Sequence, residues 1–454
     1  MARRVLVCAS LLTIQCVFFV TAGETWAVVV AGSRYFYNYR HQADVCRAYH
    51  ILRRNGVADD RVILMSYDDA ATAPDNPVPG TLFNEPSPDG RPGWDVRHNC
   101  DIDYSGRDVT AEHFLAVLRG NATAAGGGPV LRSTAEDRVF VYFADHGAPG
   151  LIAMPVGEPV YADDFNSALK FMAEQRMFAE MALYVEACES GSMFEGLLPE
   201  HDKIWAITAA NPDESSWGTY CDAEDTVNGV DIGTCLGDLF SINWMEDSDL
   251  PAEFHTETLD MQFSTVKTET TLSHVMFYGD RSLNARPITE FQGVPEFPSL
   301  QGRLGAKGGA ERRNRPGVAV DSRDVKLHTL RRLQRRSEAA GDVSGAAAYA
   351  AAARAEETHR AAADRAFAAI AGAALAAVAA APLPPLAELA CHKRAHRGVT
   401  AACGPYSDYS LKHARVVAVL CESGYSADAI IAAADAACAA HMPTSLFSGE
   451  TAIA

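Results

Sequence analysis

Five stretches of the chain are apolar almost without a break: TWAVVVA (25–31), RVILMS (61–66), RVFVYFA (138–144), ALYVEA (182–187) and KIWAITA (203–209). None alternates apolar with polar positions, which is the pattern of strands buried on both faces of a parallel sheet. Between them, residues 42–55, 111–119 and 162–180 repeat apolar positions at helical spacing. Strand and helix in alternation predict an α/β layer fold. From about residue 302 the texture changes: Gly, Arg and Pro dominate first, and beyond Gly341 alanine does, with helical patterns and no strand signal. The tract FAAIAGAALAAVAAA (367–381) is short, built on alanine and flanked by Arg365 and Pro382, which predicts a helix of a soluble unit rather than a membrane span. Cys391, Cys403, Cys421 and Cys438 fall among the last helical patterns and predict two disulfides that supplement a thin core.

A length of 454 residues exceeds the usual single domain, so two folded units are expected. Arg3 and Arg4, an apolar run too short for a comfortable span, and small residues at Ala22 and Gly23 read as a secretory signal peptide over 1–23. Its removal takes Cys8 and Cys16 and leaves nine of 11 cysteines in an oxidising route, an odd number that keeps at least one thiol free. In such a route the sequon NAT makes Asn121 a glycosylation candidate on a surface loop.

Net charge is -19, which argues against nucleic acid or an anionic membrane as the main partner. Residues 303–336 nevertheless carry 11 Lys and Arg against three acids, net +8, while the rest, with 28 basic and 55 acidic residues, stands at -27. A basic segment inside an acidic chain predicts association within the molecule.

FVYFADHGAPG puts Asp145, His146 and Gly147 directly after one buried run, and ALYVEACESG puts Cys188 after another. In open parallel sheets the ligand crevice lies outside the carboxyl ends of the strands, so a thiol and an imidazole there can share one site. A histidine followed about forty residues later by a cysteine is the order found in caspase-like cysteine proteases. His146 is then the general base and acid for a Cys188 nucleophile, with the backbone N–H groups of Gly147 and Cys188 facing the oxyanion.

DHG, EACESGS, TAANPDESS, WMEDSD, the N-terminal VVAGS…YNYRHQADVCRAY and SHVMFYGD near residue 277 resemble the legumain family, asparaginyl endopeptidases of vacuoles and lysosomes. The likeness runs from residue 25 to about 293 and resumes in the cysteine-bearing C-terminus; FEGLLPEHDKIWAIT and GTYC…TCLGDLFS look closer to its plant and green-algal branch. It implies a caspase-like α/β peptidase domain over 24–302, a basic linker or activation segment over 303–340 and an all-α autoinhibitory pro-domain over 341–454. It implies a proenzyme that hydrolyses bonds after Asn, and after Asp in acid, and that activates itself at low pH in a vacuole or lysosome-like compartment. It also implies peptide ligation as an alternative outcome. A glycosylphosphatidylinositol transamidase subunit, a relative with the same His and Cys, would carry a C-terminal membrane anchor in place of the four-cysteine unit. No cofactor, metal or nucleic acid is expected, only peptide and protein substrates and the chain's own pro-domain.

Carried onto this sequence, the resemblance makes Asn38 the residue orienting His146, makes Asp145 prone to succinimide formation, and puts Arg40, Glu186, Ser216 and Asp238 in the substrate pocket. It pairs Cys221 with Cys235, Cys391 with Cys421 and Cys403 with Cys438, leaving Cys46, Cys100 and Cys188 as free thiols. The pocket also follows from chemistry. An asparagine side chain offers an N–H₂ donor and a C=O acceptor, so it needs acceptors from Glu186 and Asp238 and a donor fork from Arg40. In extended chain residues two apart share a face, so Glu186 points with Cys188. Between residues 285 and 454 the single asparagine is Asn314, in ERRNRPG, which makes it the expected site of self-processing.

Overall fold

Each apolar run is a strand. Thr25–Ala31, Val62–Met65, Arg138–Ala144, Glu180–Glu186 and Ile204–Thr208 lie parallel. Their order across the sheet is 62–65, 25–31, 138–144, 180–186, 204–208, and Met276–Gly279 adds an antiparallel edge. These elements belong to a computed structural model that describes residues 23–87, 91–249, 256–294, 318–380 and 382–442. The apolar part of the expected signal peptide and Asn314 lie outside the described residues.

Successive strand residues feed opposite faces. Ala27, Val29 and Ala31 pack with Tyr39, Ala43, Phe240 and Trp244 under the helices Tyr39–Arg54, Leu239–Ser248 and Leu259–Glu269. Val28 and Val30 pack with Phe114, Phe165 and Leu169 under Ala111–Leu118 and Ala162–Glu174. Two buried faces are why no polar alternation survives in the runs. At about 1.5–3 kcal/mol per fully buried large apolar side chain, a polar residue in mid-run would cost a sizeable share of the fold's stability.

The C-terminal unit comprises Val343–Ala371, Leu389–Cys403, Ala414–Glu422 and Ala427–His441 around Ala363, Phe367, Ile370, Val399, Val417, Leu420 and Ile430. Alanine lets these helices approach closely but buries little area. Cys391–Cys421 and Cys403–Cys438, with separations of 30 and 35 residues, cross-link it. By loop-closure entropy each contributes roughly 3–4 kcal/mol. Among the described residues, no helix is long and apolar enough to cross a membrane.

Two expectations need correction. Cys46 and Cys100 are not free thiols: they are joined, with their Cα atoms 5.5 Å apart. Cys46 lies inside the helix Tyr39–Arg54 and Cys100 on the long loop after Val62–Met65, which folds back over that helix. Cys188 is the one free cysteine among the described residues, which meets the odd count with a single thiol. Nor is 303–340 a linker throughout. From Val318 onward it forms a strand, Val320–Asp321, and a helix, Val325–Ala339, whose Val325, Thr329, Leu330 and Leu333 recur at helical spacing and are buried. The arginines between them masked that period.

Candidate active site

The register of two neighbouring strands builds the site. Ala144 stands opposite Glu186 in the parallel pair, so continuing each chain by two residues brings His146 and Cys188 to the same level beyond the carboxyl edge. The loops touch there: a Cβ added to Gly147 would lie 2.2 Å from the Cys188 carbonyl oxygen and 2.9 Å from the Ala187 Cβ, so a side chain at 147 would push the two apart. Asn38 and Arg40 come from the third element of this edge, where Thr25–Ala31 turns through a short 3₁₀ segment, Phe36–Asn38, into the helix Tyr39–Arg54.

Hydrogen bonds fix the imidazole's tautomer. Asn38 Nδ2 donates to the Arg34 carbonyl at 3.1 Å, which leaves Asn38 Oδ1 as an acceptor 2.9 Å from His146 Nε2. Nε2 therefore carries the proton. Nδ1 keeps its lone pair and has no hydrogen-bond partner, the state a base needs. Cys188 Sγ accepts from the Ser216 N–H at 3.3 Å. Burial pushes this thiol up to about 11, against the pull of Arg323, and burial holds His146 down to about 4, against the pull of Asp408. In this covered form the pair is a neutral thiol beside a neutral imidazole.

A second cluster lies beneath. Arg40 and Asp238 are fully buried and bond through Nε and Oδ1 at 2.8 Å. Glu186 is equally buried; its Oε2 accepts from the Ser241 N–H and hydroxyl, each at 3.0 Å, while its Oε1 is unpartnered. Burial and then Asp238 push Glu186 up to about 8, and burial and Asp238 raise the adjacent Asp44 as well. Two acceptors and an arginine fork are what a primary amide requires.

The site is covered by the C-terminal part of the chain from two sides. Val320–Asp321 pairs antiparallel with Trp217–Thr219, and the next N–H, of Ser322, donates to the Ser216 carbonyl at 3.1 Å. The Ser322 hydroxyl accepts from Arg40 Nη2 at 3.0 Å, so this side chain reaches the buried cluster. Arg323 then pairs with Glu189, the residue after Cys188, which is in a left-handed conformation at φ 47°. From the other side, Asp408 Oδ2 lies 3.4 Å from Asn38 Nδ2 and 3.5 Å from His146 Nε2.

Sequence reasoning missed several of these groups. His41 is fully buried, with Nδ1 2.6 Å from the Ser33 hydroxyl and 3.4 Å from Asp145 Oδ1, and Nε2 3.4 Å from Asp238 Oδ2. It thus bridges Asp145 to the pocket, and its place next to Arg40 in YNYRH was the available signal. Ser322 and Asp408 carried no signal. Asp145 itself is buried, raised well above the usual carboxylate range by that burial, and neither oxygen has a hydrogen-bond partner. Cys221 and Cys235 are joined beside the strand that receives Ser322. Asn121 is exposed, on the turn after Ala111–Leu118, away from this edge.

A family model described as the Peptidase C13 family matches residues 25–294, and one described as the legumain prodomain matches residues 356–438. Legumain of Bos taurus is 39% identical over 90% of this chain and 91% of its own. A vacuolar-processing enzyme of Ricinus communis is 38% identical over 92% and 85%. The animal and plant proteins are thus equally similar. Among solved structures, caspase-1 from Spodoptera frugiperda aligns with 57% of this chain and 87% of its own at a TM-score of 0.34 and 10% identity.

Proposed function

We propose that this chain, which belongs to the peptidase C13 family of cysteine endopeptidases, cleaves peptide bonds on the carboxyl side of asparagine. It accepts aspartate in acid, and it is made as a proenzyme that releases its own C-terminal unit at low pH. The observation carrying this reading is Ser322: a strand laid on Trp217–Thr219 delivers the next side chain to Arg40 while the following residue reaches Glu189 beside Cys188. A substrate strand lies along the same edge, with its asparagine where Ser322 now sits. Its amide N–H₂ donates to Glu186 Oε1 and Asp238, and its C=O accepts from Arg40.

Catalysis then follows. His146 Nδ1 takes the thiol proton as Cys188 Sγ attacks the carbonyl carbon, and the oxyanion turns to the N–H groups of Gly147 and Cys188, each worth roughly a hundred-fold or more in rate. Collapse breaks the C–N bond, His146 protonates the leaving amine, and a thioester remains. Water, giving a proton to the same nitrogen, hydrolyses the thioester and restores the thiol. Asn38 acts through the imidazole, holding its Nε2–H and thereby keeping Nδ1 basic.

An ionised aspartate in the pocket would face Asp238 as an unpaired like charge, whereas a protonated one mimics the amide. Acid use fits the vacuolar setting in a relative's name, an acidic compartment, and Asn314 is the proposed point of self-cleavage. The test compares matched peptides with Asn, Asp or Gln before the scissile bond, at pH 5 and 7, read by mass spectrometry. Cleavage after Asn at both values, after Asp at pH 5 alone, and none by the Cys188→Ala variant is expected. Equal cleavage after Asn and Gln, or activity surviving Cys188→Ala, would overturn the reading.

A further inference from the structure

The helix Val325–Ala339 begins three residues after Ser322 and occupies a groove of the catalytic domain. The groove is the loop between Cys221 and Cys235, sequence DAEDTVNGVDIGT, which holds four acids and no Lys or Arg and is closed at its base by the disulfide. Thr226–Val227 and Val230–Asp231 form a small hairpin in its middle. The helix meets it with both apolar and cationic groups. Val325 packs on the two cysteines, and the Thr329 and Thr234 hydroxyls bond at 2.9 Å. Leu333 lies so close over Gly233 that a Cβ there would meet its Cδ2 at 3.0 Å. Arg332 Nη2 pairs with Asp225 Oδ1 and Asp231 Oδ2, both at 2.9 Å. Arg335 and His328 reach Asp222 at 3.3 and 3.2 Å, and Arg336 donates to the carbonyls of Ile232 and Asp75, each at 3.0 Å.

All the receiving residues lie within the part of the chain that matches the peptidase, and all the helical ones lie beyond it. When the C-terminal unit leaves, this groove stays with the enzyme, acidic, lined with an apolar floor and directly continuous with the strand edge that binds substrate. It then lies on the carboxyl side of the bond being cut.

We propose that the acidic groove is an exosite which, after release of the C-terminal unit, binds a basic amphipathic helix of a protein substrate, with cations ten to fourteen residues beyond the cleaved asparagine, as Arg332, Arg335 and Arg336 lie beyond Ser322. The chain's own helix is the template for this occupant. The proposal rests on the asparagine-cleaving, self-releasing reading above. It adds a selection that the amide pocket cannot make, because that pocket reads one side chain and the groove reads charge and helical shape about two to three turns into the following helix.

The test uses acid-activated full chain and two substrates with one Asn-containing core, one short and one extended so that residues 325–339 of this chain follow at their native spacing. That stretch has no asparagine and is not itself consumed. The extended substrate should show a KM about tenfold lower at low ionic strength, falling toward the short one near 1 M salt, since the pairs at Asp222 and Asp231 are partly exposed and are screened. Asp222→Asn with Asp231→Asn, or Arg332→Glu with Arg335→Glu in the substrate, should abolish the advantage while leaving kcat/KM of the short peptide unchanged. Equal KM for the two substrates with unmodified enzyme would overturn the exosite while leaving the asparagine reading standing. Failure to cleave the short peptide would count against that reading instead, and anisotropy of a labelled 325–339 peptide would still report the groove: no salt-sensitive binding would sink it.

Discussion

Protonation of buried histidines is expected to destabilise the C-terminal unit in acid, and His392 gives the measure. It is 3% exposed on the helix Leu389–Cys403, where a Cβ on Gly150 of the catalytic domain would lie 3.2 Å from its Nδ1. His396, one turn on, is ring to ring with His392 at 5.2 Å and with Tyr161 at 6.3 Å; its Nδ1 meets the Tyr406 hydroxyl at 3.0 Å. The charged groups around them are engaged: Lys393 with Asp163 and Asp164, Arg397 with Glu158. Neither histidine Nε2 has a hydrogen-bond partner. Burial holds His392 down to about 4, and burial with His392 lowers His396 further. A depressed folded value means that the unfolded chain binds more protons between about 4 and 6.5, so stability is full above 6.5 and is lost as pH falls through that window. From pH 6.5 to 5, His392 alone removes about 2 kcal/mol, at 1.36 kcal/mol per unit, and His396 adds a loss of the same sign. Calorimetric unfolding of the Cys188→Ala proenzyme at a series of pH values reads this directly. His392→Gln should flatten the fall by about 2 kcal/mol between pH 6.5 and 5. An unchanged slope would refute the reasoning. Glu189 works in the opposite sense for folding stability: burial outweighs Arg323 and raises it to about 7, so its contribution is present in acid and is lost as pH rises through that value, while its protonation removes the charge that Arg323 meets.

Three further outcomes follow from the geometry. Ser322→Asn places the preferred side chain against Arg40 with the next bond beside Cys188, so acidified protein should yield a catalytic fragment ending at residue 322; its absence, with activity on a peptide intact, would show that the covering strand is held out of reactive register. Unfolding the chain lacking residues 1–23 in iodoacetamide without reductant should add one label, at Cys188, whereas three labels would mean that Cys46 and Cys100 are free; Cys46→Ser should cost about 4 kcal/mol, from closure of a 54-residue loop.

What could be read from the sequence divides along a physical line. The sheet was legible because burial on both faces leaves no freedom: Val139, Phe140, Val141, Tyr142 and Phe143 are all fully buried, and only apolar residues satisfy that. His146 and Cys188 followed from it, since parallel strands in one register must end level. The meeting of Arg40, Glu186 and Asp238 in one buried cluster was legible because it is local to two strand ends and a helix start. Contacts across long loops were not. Asp408 is 370 residues from Asn38, Ser322 is 282 from Arg40, and nothing in either neighbourhood marks its destination. Cys100 failed for the same reason, its partner being fixed by where a loop folds back. The basic segment was legible by half: its charge pointed to association within the molecule, as the pairs of Arg332 and Arg335 with Asp225, Asp231 and Asp222 bear out, and its helical period went unread. Arg332, Arg335 and Arg336 form one side of a docked helix, each matched to an acid or carbonyl of the Cys221–Cys235 loop, while Arg331 pairs with Glu357. Arg332 and Arg335 and the acids Asp222, Asp225 and Asp231 are therefore two halves of one interface, and a charge asymmetry along a chain is best read as a question about which surface answers it.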